Sequence, residues 1–167
     1  MINIVCTSKP GDGLLCYSYE HCCYLNSIGI KAQVVIITHY NFSKKHYIDA
    51  ITEKYKTCSN IIFDFYTPES DDITFILGRS MLTLLYKDKD YYTTDQLMTG
   101  HLLFNNKLIA IYSENHVREY PMALEYFKPK QVYDMCDYDV YPNGVGVYYE
   151  KMINFEEYKP VKNDVQF

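Results

Sequence analysis

A doubly wound α/β domain, with a mostly parallel sheet and helices on both faces, is the fold class this sequence predicts, on three observations. Short β-branched runs alternate with amphipathic segments along the chain, as at 2–6, 31–37 and 107–112. Several of those runs are continuously apolar, the pattern of strands buried on both faces of a parallel sheet. The third observation is the start of the chain, where Ile2-Asn3-Ile4-Val5-Cys6 runs into Thr7-Ser8-Lys9-Pro10-Gly11-Asp12-Gly13 and then into a helical stretch. Such a turn brings free backbone N–H groups and a helix N-terminus to the carboxyl end of a strand. Open α/β sheets hold phosphate- and sugar-bearing ligands there. The turn matches neither strict phosphate-loop pattern, because Gly11-x-Gly13 lacks the third glycine of the dinucleotide fingerprint and no Gly-Lys-Ser/Thr follows. The expectation is a Rossmann-like architecture whose chemistry the turn alone does not name.

The elements follow in order. Residues 14–28 carry Leu15, Tyr19, Cys22, Cys23 and Leu25 near a helical stripe, and Gly29 suits the position just past a helix end. With the strand at 31–37 this makes a βαβ unit, for which a right-handed crossover is the rule. Ser43 caps a second helix whose inner face is Tyr47, Ile48, Ile51 and Tyr55. Residues 60–65 form a third strand ended by Tyr66-Thr67-Pro68, 73–77 a short strand or the start of a connecting segment, and 78–86 a helix. Lys87-Asp88-Lys89-Asp90 reads as a solvated charged loop. Thr93 or Thr94 caps a helix through Phe104, 107–112 is a buried-type strand, and 120–127 is a helix with Pro121 in its first turn. Gln131-Val132-Tyr133 is a further strand, 134–144 is turn-rich, and 145–149 holds a short strand. The expected organisation is one α/β domain over 1–150 and a linker-like tail over 151–167.

Length and composition bound the function classes. A chain of 167 residues suits one domain with a single core. It shows neither a long uncharged apolar stretch nor a signal-peptide pattern, so the expectation is no membrane span and a cytoplasmic location. A net charge of −5 gives no basic footprint for nucleic acid taken alone. The six cysteines include no C-x-x-C pair, and the five histidines add no zinc spacing, so reduced structural thiols are expected. Nineteen tyrosines without a tryptophan, together with frequent Ile, Lys, Asn and Asp, fit an AT-rich genome. A virus, with the host cytoplasm as location, is the source this suggests.

Three segments together resemble the N-terminal domain of GT-B glycosyltransferases, a group that includes the DNA-glucosylating enzymes of T-even-type phages. Ser8-Lys9-Pro10-Gly11-Asp12-Gly13-Leu14 is similar to the basic, glycine-rich loop after the first strand of that fold. Tyr112-Ser113-Glu114-Asn115-His116 ends a buried strand where family members carry acceptor-site or catalytic polar residues. Tyr141-Pro142-Asn143-Gly144-Val145, with Phe155-Glu156-Glu157-Tyr158-Lys159-Pro160 after it, resembles the passage from the first domain to the second. In the family the second domain holds most of the nucleotide-sugar donor, and no such domain follows in this sequence. The resemblance therefore implies an acceptor-side half that transfers a sugar with a second domain, a partner chain or a homo-oligomer completing the site. It implies a nucleotide sugar as substrate and no covalently bound cofactor, and it leaves metal use open.

Each candidate residue has a functional and a plain reading. Lys9, Gly11 and Gly13 would face the donor diphosphate, where a lysine beside free N–H groups stabilises a leaving phosphate; the plain reading is an ordinary βα turn. Asp12 would face the acceptor, or it stabilises the helix start. Glu114 or His116 would take the acceptor hydroxyl's proton, against a loop pair with surface hydrogen bonds. Arg79, just after a strand-like run, lies where α/β folds put ligand contacts. Arg118 is read as pairing with a neighbouring carboxylate, His21 as a helix-surface histidine, and Tyr138 and Tyr141 as stacking candidates. The rival to the transferase is a non-enzymatic nucleotide- or protein-binding module, and a third reading is a small enzyme acting on nucleotides.

Overall fold

The computed structural model describes residues 1–87, 89–103, 107–112, 120–134 and 146–148. Its elements run β1 (Ile2–Cys6), α1 (Gly13–Ser27), β2 (Ala32–Ile36), α2 (Lys44–Lys54), β3 (Ile61–Phe63), β4 (Ile73–Leu77) and α3 (Gly78–Tyr86), followed by α4 (Thr94–Leu103), β5 (Lys107–Tyr112), α5 (Tyr120–Phe127), β6 (Gln131–Asp134) and β7 (Gly146–Tyr148). The described strands form one sheet in the order β3-β2-β1-β4-β5-β6-β7, and every neighbouring pair is parallel. Six of these positions reproduce the 3-2-1-4-5-6 order of doubly wound nucleotide-binding sheets. The tail at 151–167, and with it the expected domain boundary, lies outside the described residues.

Alternation along each strand feeds two cores. Ile2, Ile4 and Cys6 of β1 with Val34 and Ile36 of β2 pack under α1 and α2 through Leu15, Tyr19, Cys22, Leu25, Tyr47 and Ile51. Val5, Val35, Ile76, Leu108 and Val132 face the other way, against Met81 and Leu84 of α3, Leu97 and Leu103 of α4 and Ala123 of α5. Helices thus cover both faces, as strands apolar on both sides require. Gly100 lets α4 close on α3, since a Cβ there would lie 2.5 Å from Leu84 Cδ2.

The local signals resolve into geometry. Gly29 takes φ +84°, and Ile30 N–H donates to Leu25 O (2.9 Å) while Gly29 N–H donates to Asn26 O (3.1 Å), the paired bonds that close a helix end on a left-handed residue. At α4 the choice between Thr93 and Thr94 falls on Thr93. Its hydroxyl accepts from Gln96 N–H at 3.2 Å, and Gln96 Oε1 accepts from Thr93 N–H at 2.8 Å. At α2 the His46 ring accepts from Ser43 N–H at 3.0 Å, a histidine doing what a glutamate does in the usual box. Of the inner-face residues expected there, Tyr47, Ile51 and Tyr55 are buried and Ile48 is only half-buried.

Two expectations are corrected. His21 is buried, not on the helix surface: its ring packs 5.3 Å from Phe75, and burial lowers its pKa to about 4. The third strand is shorter than 60–65, because Asn60 (φ 58°) and Asp64 (φ 63°) are left-handed and bracket only three strand residues.

Candidate functional site

The strand order reverses between β1 and β4, so the chain leaves their carboxyl ends in opposite directions and opens a crevice. A cavity of about 260 Å³ occupies it. Its walls come from four segments: the β1–α1 turn, the β2–α2 turn, the first turns of α3, and the segment between α3 and α4.

The β1–α1 turn supplies Thr7, Ser8, Lys9, Asp12 and Leu14. Gly11 has φ +79°, a left-handed conformation that turns the chain into the helix, and Asp12 N–H donates to Lys9 O at 3.1 Å. Asp12 is the N-cap of α1, its carboxylate accepting from Leu14 N–H at 3.3 Å. Asp12 thus stabilises the helix start, and it also lines the cavity. Thr7 is 6% exposed, and its Oγ1 is buried with no hydrogen-bond partner among the described residues.

Arg79 enters from the first turn of α3 and reaches the same cavity from across the switch point, with Thr83 one helical turn on. The next residue, Ser80, is fully buried, and its Oγ accepts from Thr7 N–H at 3.0 Å, tying the end of β1 to the start of α3. Two cations therefore face one space, from turns that follow adjacent strands. Of the cofactor-contact residues expected, Lys9, Asp12 and Arg79 line the cavity, whereas Gly11 and Gly13 shape the turn. No protein atom lies within 4 Å of a Cβ built on either glycine. Glu114, His116, Arg118, Tyr138 and Tyr141 lie outside the described residues.

The aromatic wall was not expected. His39, Tyr91 and Tyr92 complete the lining. The His39 ring stacks on Tyr91 at 4.5 Å and on Tyr40 at 5.3 Å, and Tyr92 meets it edge-on at 5.8 Å. Tyr40 N–H donates to Tyr91 O at 2.9 Å and the Tyr92 hydroxyl donates to Thr7 O at 2.9 Å, so the tyrosine segment is bonded to two strand ends.

Beneath this wall, Tyr47 joins the two turns. Its hydroxyl accepts from His39 N–H (3.0 Å) and donates to Ser8 O (2.9 Å). Burial pushes its pKa up to about 12, which keeps the donated proton in place at neutral pH. On the other side Asp64 accepts from Thr38 N–H (2.9 Å), Thr38 Oγ1 (2.6 Å) and Gln96 Nε2 (2.8 Å), fixing the residue before His39. Cys6, under the turn, is fully buried, and burial raises its thiol above the ordinary value, so it is no nucleophile. Among the described residues no group of three His, Cys, Asp or Glu side chains is placed to hold a metal ion, and no helix is long and apolar enough to cross a membrane.

The cavity sets a lysine, an arginine and a helix N-terminus beside the Asp12 carboxylate and an aromatic wall. Lysine, arginine and a helix N-terminus favour phosphate, and the carboxylate of Asp12 beside them suits a hydroxyl donor. Comparison with protein-family models, curated proteins and solved structures finds no match.

Proposed function

We propose that this cleft binds a phosphate-bearing sugar ligand, and that the chain is one half of a GT-B-like glycosyltransferase acting on a nucleotide sugar. The observation that carries the binding part is the meeting of Lys9 and Arg79 across the switch point, beside the N-terminus of α1. The finer, catalytic part is supported by the sequence resemblance. On that reading the donor diphosphate lies against Lys9 and Arg79, which offset the charge that grows as the glycosidic bond breaks. Glu114 or His116 would take the acceptor proton, and a second domain, partner chain or second copy would close the cleft. The stacked aromatic wall equally favours a second reading, a nucleotide-binding module without turnover.

Thermal melting and calorimetry with nucleoside diphosphates, nucleotide sugars and pyrophosphate test the binding part. Binding should raise the melting temperature. Loss of one charge-assisted contact, in Lys9→Ala or Arg79→Ala, should weaken binding about tenfold to a hundredfold. No shift with any of these ligands overturns the reading. Sugar release or transfer in the presence of a donor-domain chain supports the transferase, and tight binding without turnover supports the module.

A further inference from the structure

A phosphate site explains the cations of the cavity but not its aromatic wall. His39, Tyr91 and Tyr92 line the same cavity as Lys9 and Arg79, and Tyr40 stacks on His39 and Tyr91 beside it. Tyr91 is 41% exposed and lines the cavity, while His39 behind it is 3% exposed. Tyr91 thus packs on both His39 and Tyr40 and keeps part of its surface open. Its interplanar angle with His39 is 27°, and that of His39 with Tyr40 is 13°, so the rings share nearly one orientation.

The wall is also held before any ligand arrives. The backbone bond from Tyr40 to Tyr91 joins the β2–α2 turn to the α3–α4 segment. The Tyr92 hydroxyl bonds the residue that begins the phosphate turn, and Tyr47 bonds both turns from below. Ring surface and cationic end are thus fixed relative to each other within one space of about 260 Å³. That is slightly below the ~300–1,000 Å³ usual for small-molecule sites, which suits one nucleotide unit.

We propose that His39 and Tyr91 form a stacking subsite for a nucleobase, so that the ligand of this cleft is a nucleoside phosphate and not a bare sugar phosphate. The inference rests on the phosphate reading of Lys9 and Arg79. A base has a flat π-face that continues the offset stack, and this gain is separate from the charge contacts. Tyr91 is the residue that discriminates, because it is the most exposed aromatic side chain of the lining. His39 orients Tyr91 from behind.

Calorimetry on the full chain tests this with uridine and adenosine 5′-monophosphates, the free nucleosides, ribose 5-phosphate and inorganic phosphate. The monophosphates should bind about tenfold or more tightly than ribose 5-phosphate. Tyr91→Ala should erase that difference while leaving ribose 5-phosphate affinity unchanged, and Tyr91→Phe should keep it. Because the Tyr91 side chain is exposed, an unchanged melting temperature of the unliganded variants confirms that they fold. Ribose 5-phosphate binding as tightly as the nucleotides, or Tyr91→Ala weakening both equally, overturns the proposal and leaves the phosphate reading standing. Nucleosides binding as tightly as their monophosphates overturns the phosphate reading and leaves the stacking subsite standing. Binding of none of the probes overturns both.

Discussion

The two faces of the sheet are built from different chemistry. Under α1 and α2, the largest buried side chains include Tyr19, Tyr47 and Tyr55, and each hydroxyl reaches a polar partner: Thr57 O at 2.7 Å, Ser8 O at 2.9 Å and Glu20 Oε1 at 2.8 Å. Under α3, α4 and α5 the core is mostly aliphatic, with Met81, Leu84, Leu97 and Leu103 interlocked around Ile76 and Leu108. The tyrosine face therefore packs the core and positions turns with the same side chains. The aliphatic face mainly supplies packing and leaves positioning to Gln96 and Tyr92. A buried tyrosine allows this because its ring fills the core while its tip demands a partner.

The largest effect that would test this division comes from Leu84→Ala on the aliphatic face. Leu84 is fully buried, and its removal should cost ~2–5 kcal/mol in denaturant unfolding. Ligand affinity, measured where the variant stays folded, should be nearly unchanged. Tyr47→Phe is the converse. The ring volume stays, but His39 N–H loses its acceptor and Ser8 O its donor, at a cost of ~1–3 kcal/mol. Its mark should be weaker nucleotide binding, because both turns of the cleft are released. If Leu84→Ala weakens binding as much as Tyr47→Phe does, the division of labour fails.

The smallest effect is a slope in stability against pH, and each face holds a histidine, His21 buried and His101 half-buried. His21, on the tyrosine face, has its pKa lowered by burial to about 4; His101, on the aliphatic face, is lowered by burial and by Lys87. A histidine with a depressed folded value resists the proton that the unfolded chain accepts near pH 6.5. Its contribution is therefore intact above about pH 6.5 and is lost as pH falls toward the folded value. Asp72 acts lower. Burial alone would raise its pKa, but bonds from Asn3, the Met1 amine, Tyr66 and Glu69 N–H outweigh that and hold it at about 2. Its share of stability is present above about pH 4 and lost as pH falls toward 2. His21→Phe should flatten the upper part of the acid profile, leaving the His101 share, and Asp72→Asn the lower part. An upper slope unchanged in His21→Phe would show that this ring is protonated in the folded chain.

Much of the frame was legible because its signals are local. Continuous apolar runs marked the strands, Gly29 marked the end of α1, and the β1–α1 turn marked the end of the sheet where the cavity lies. Half of the cleft was legible for the same reason, since Lys9, Asp12 and Arg79 each follow directly on a strand. The aromatic wall was not. His39 and Tyr91 come from different turns and meet only through the fold, and among nineteen tyrosines the ones at a site carry no separate mark. The charged run at 87–90 even pointed away from it, because its solvated character hid the two tyrosines that follow. His21 was missed because one imidazole on an amphipathic helix looks alike whether it meets water or Phe75.

The short third strand has a consequence beyond the site. It is one of the two outer strands of the described sheet, and an outer strand normally offers unpaired N–H and C=O groups to any other extended chain. Here left-handed residues at both ends turn the backbone away after three positions. A second molecule approaching that margin finds too little straight backbone to zip onto. The bend at Asp64 that anchors Thr38 thus also shields the sheet from growing into a fibre.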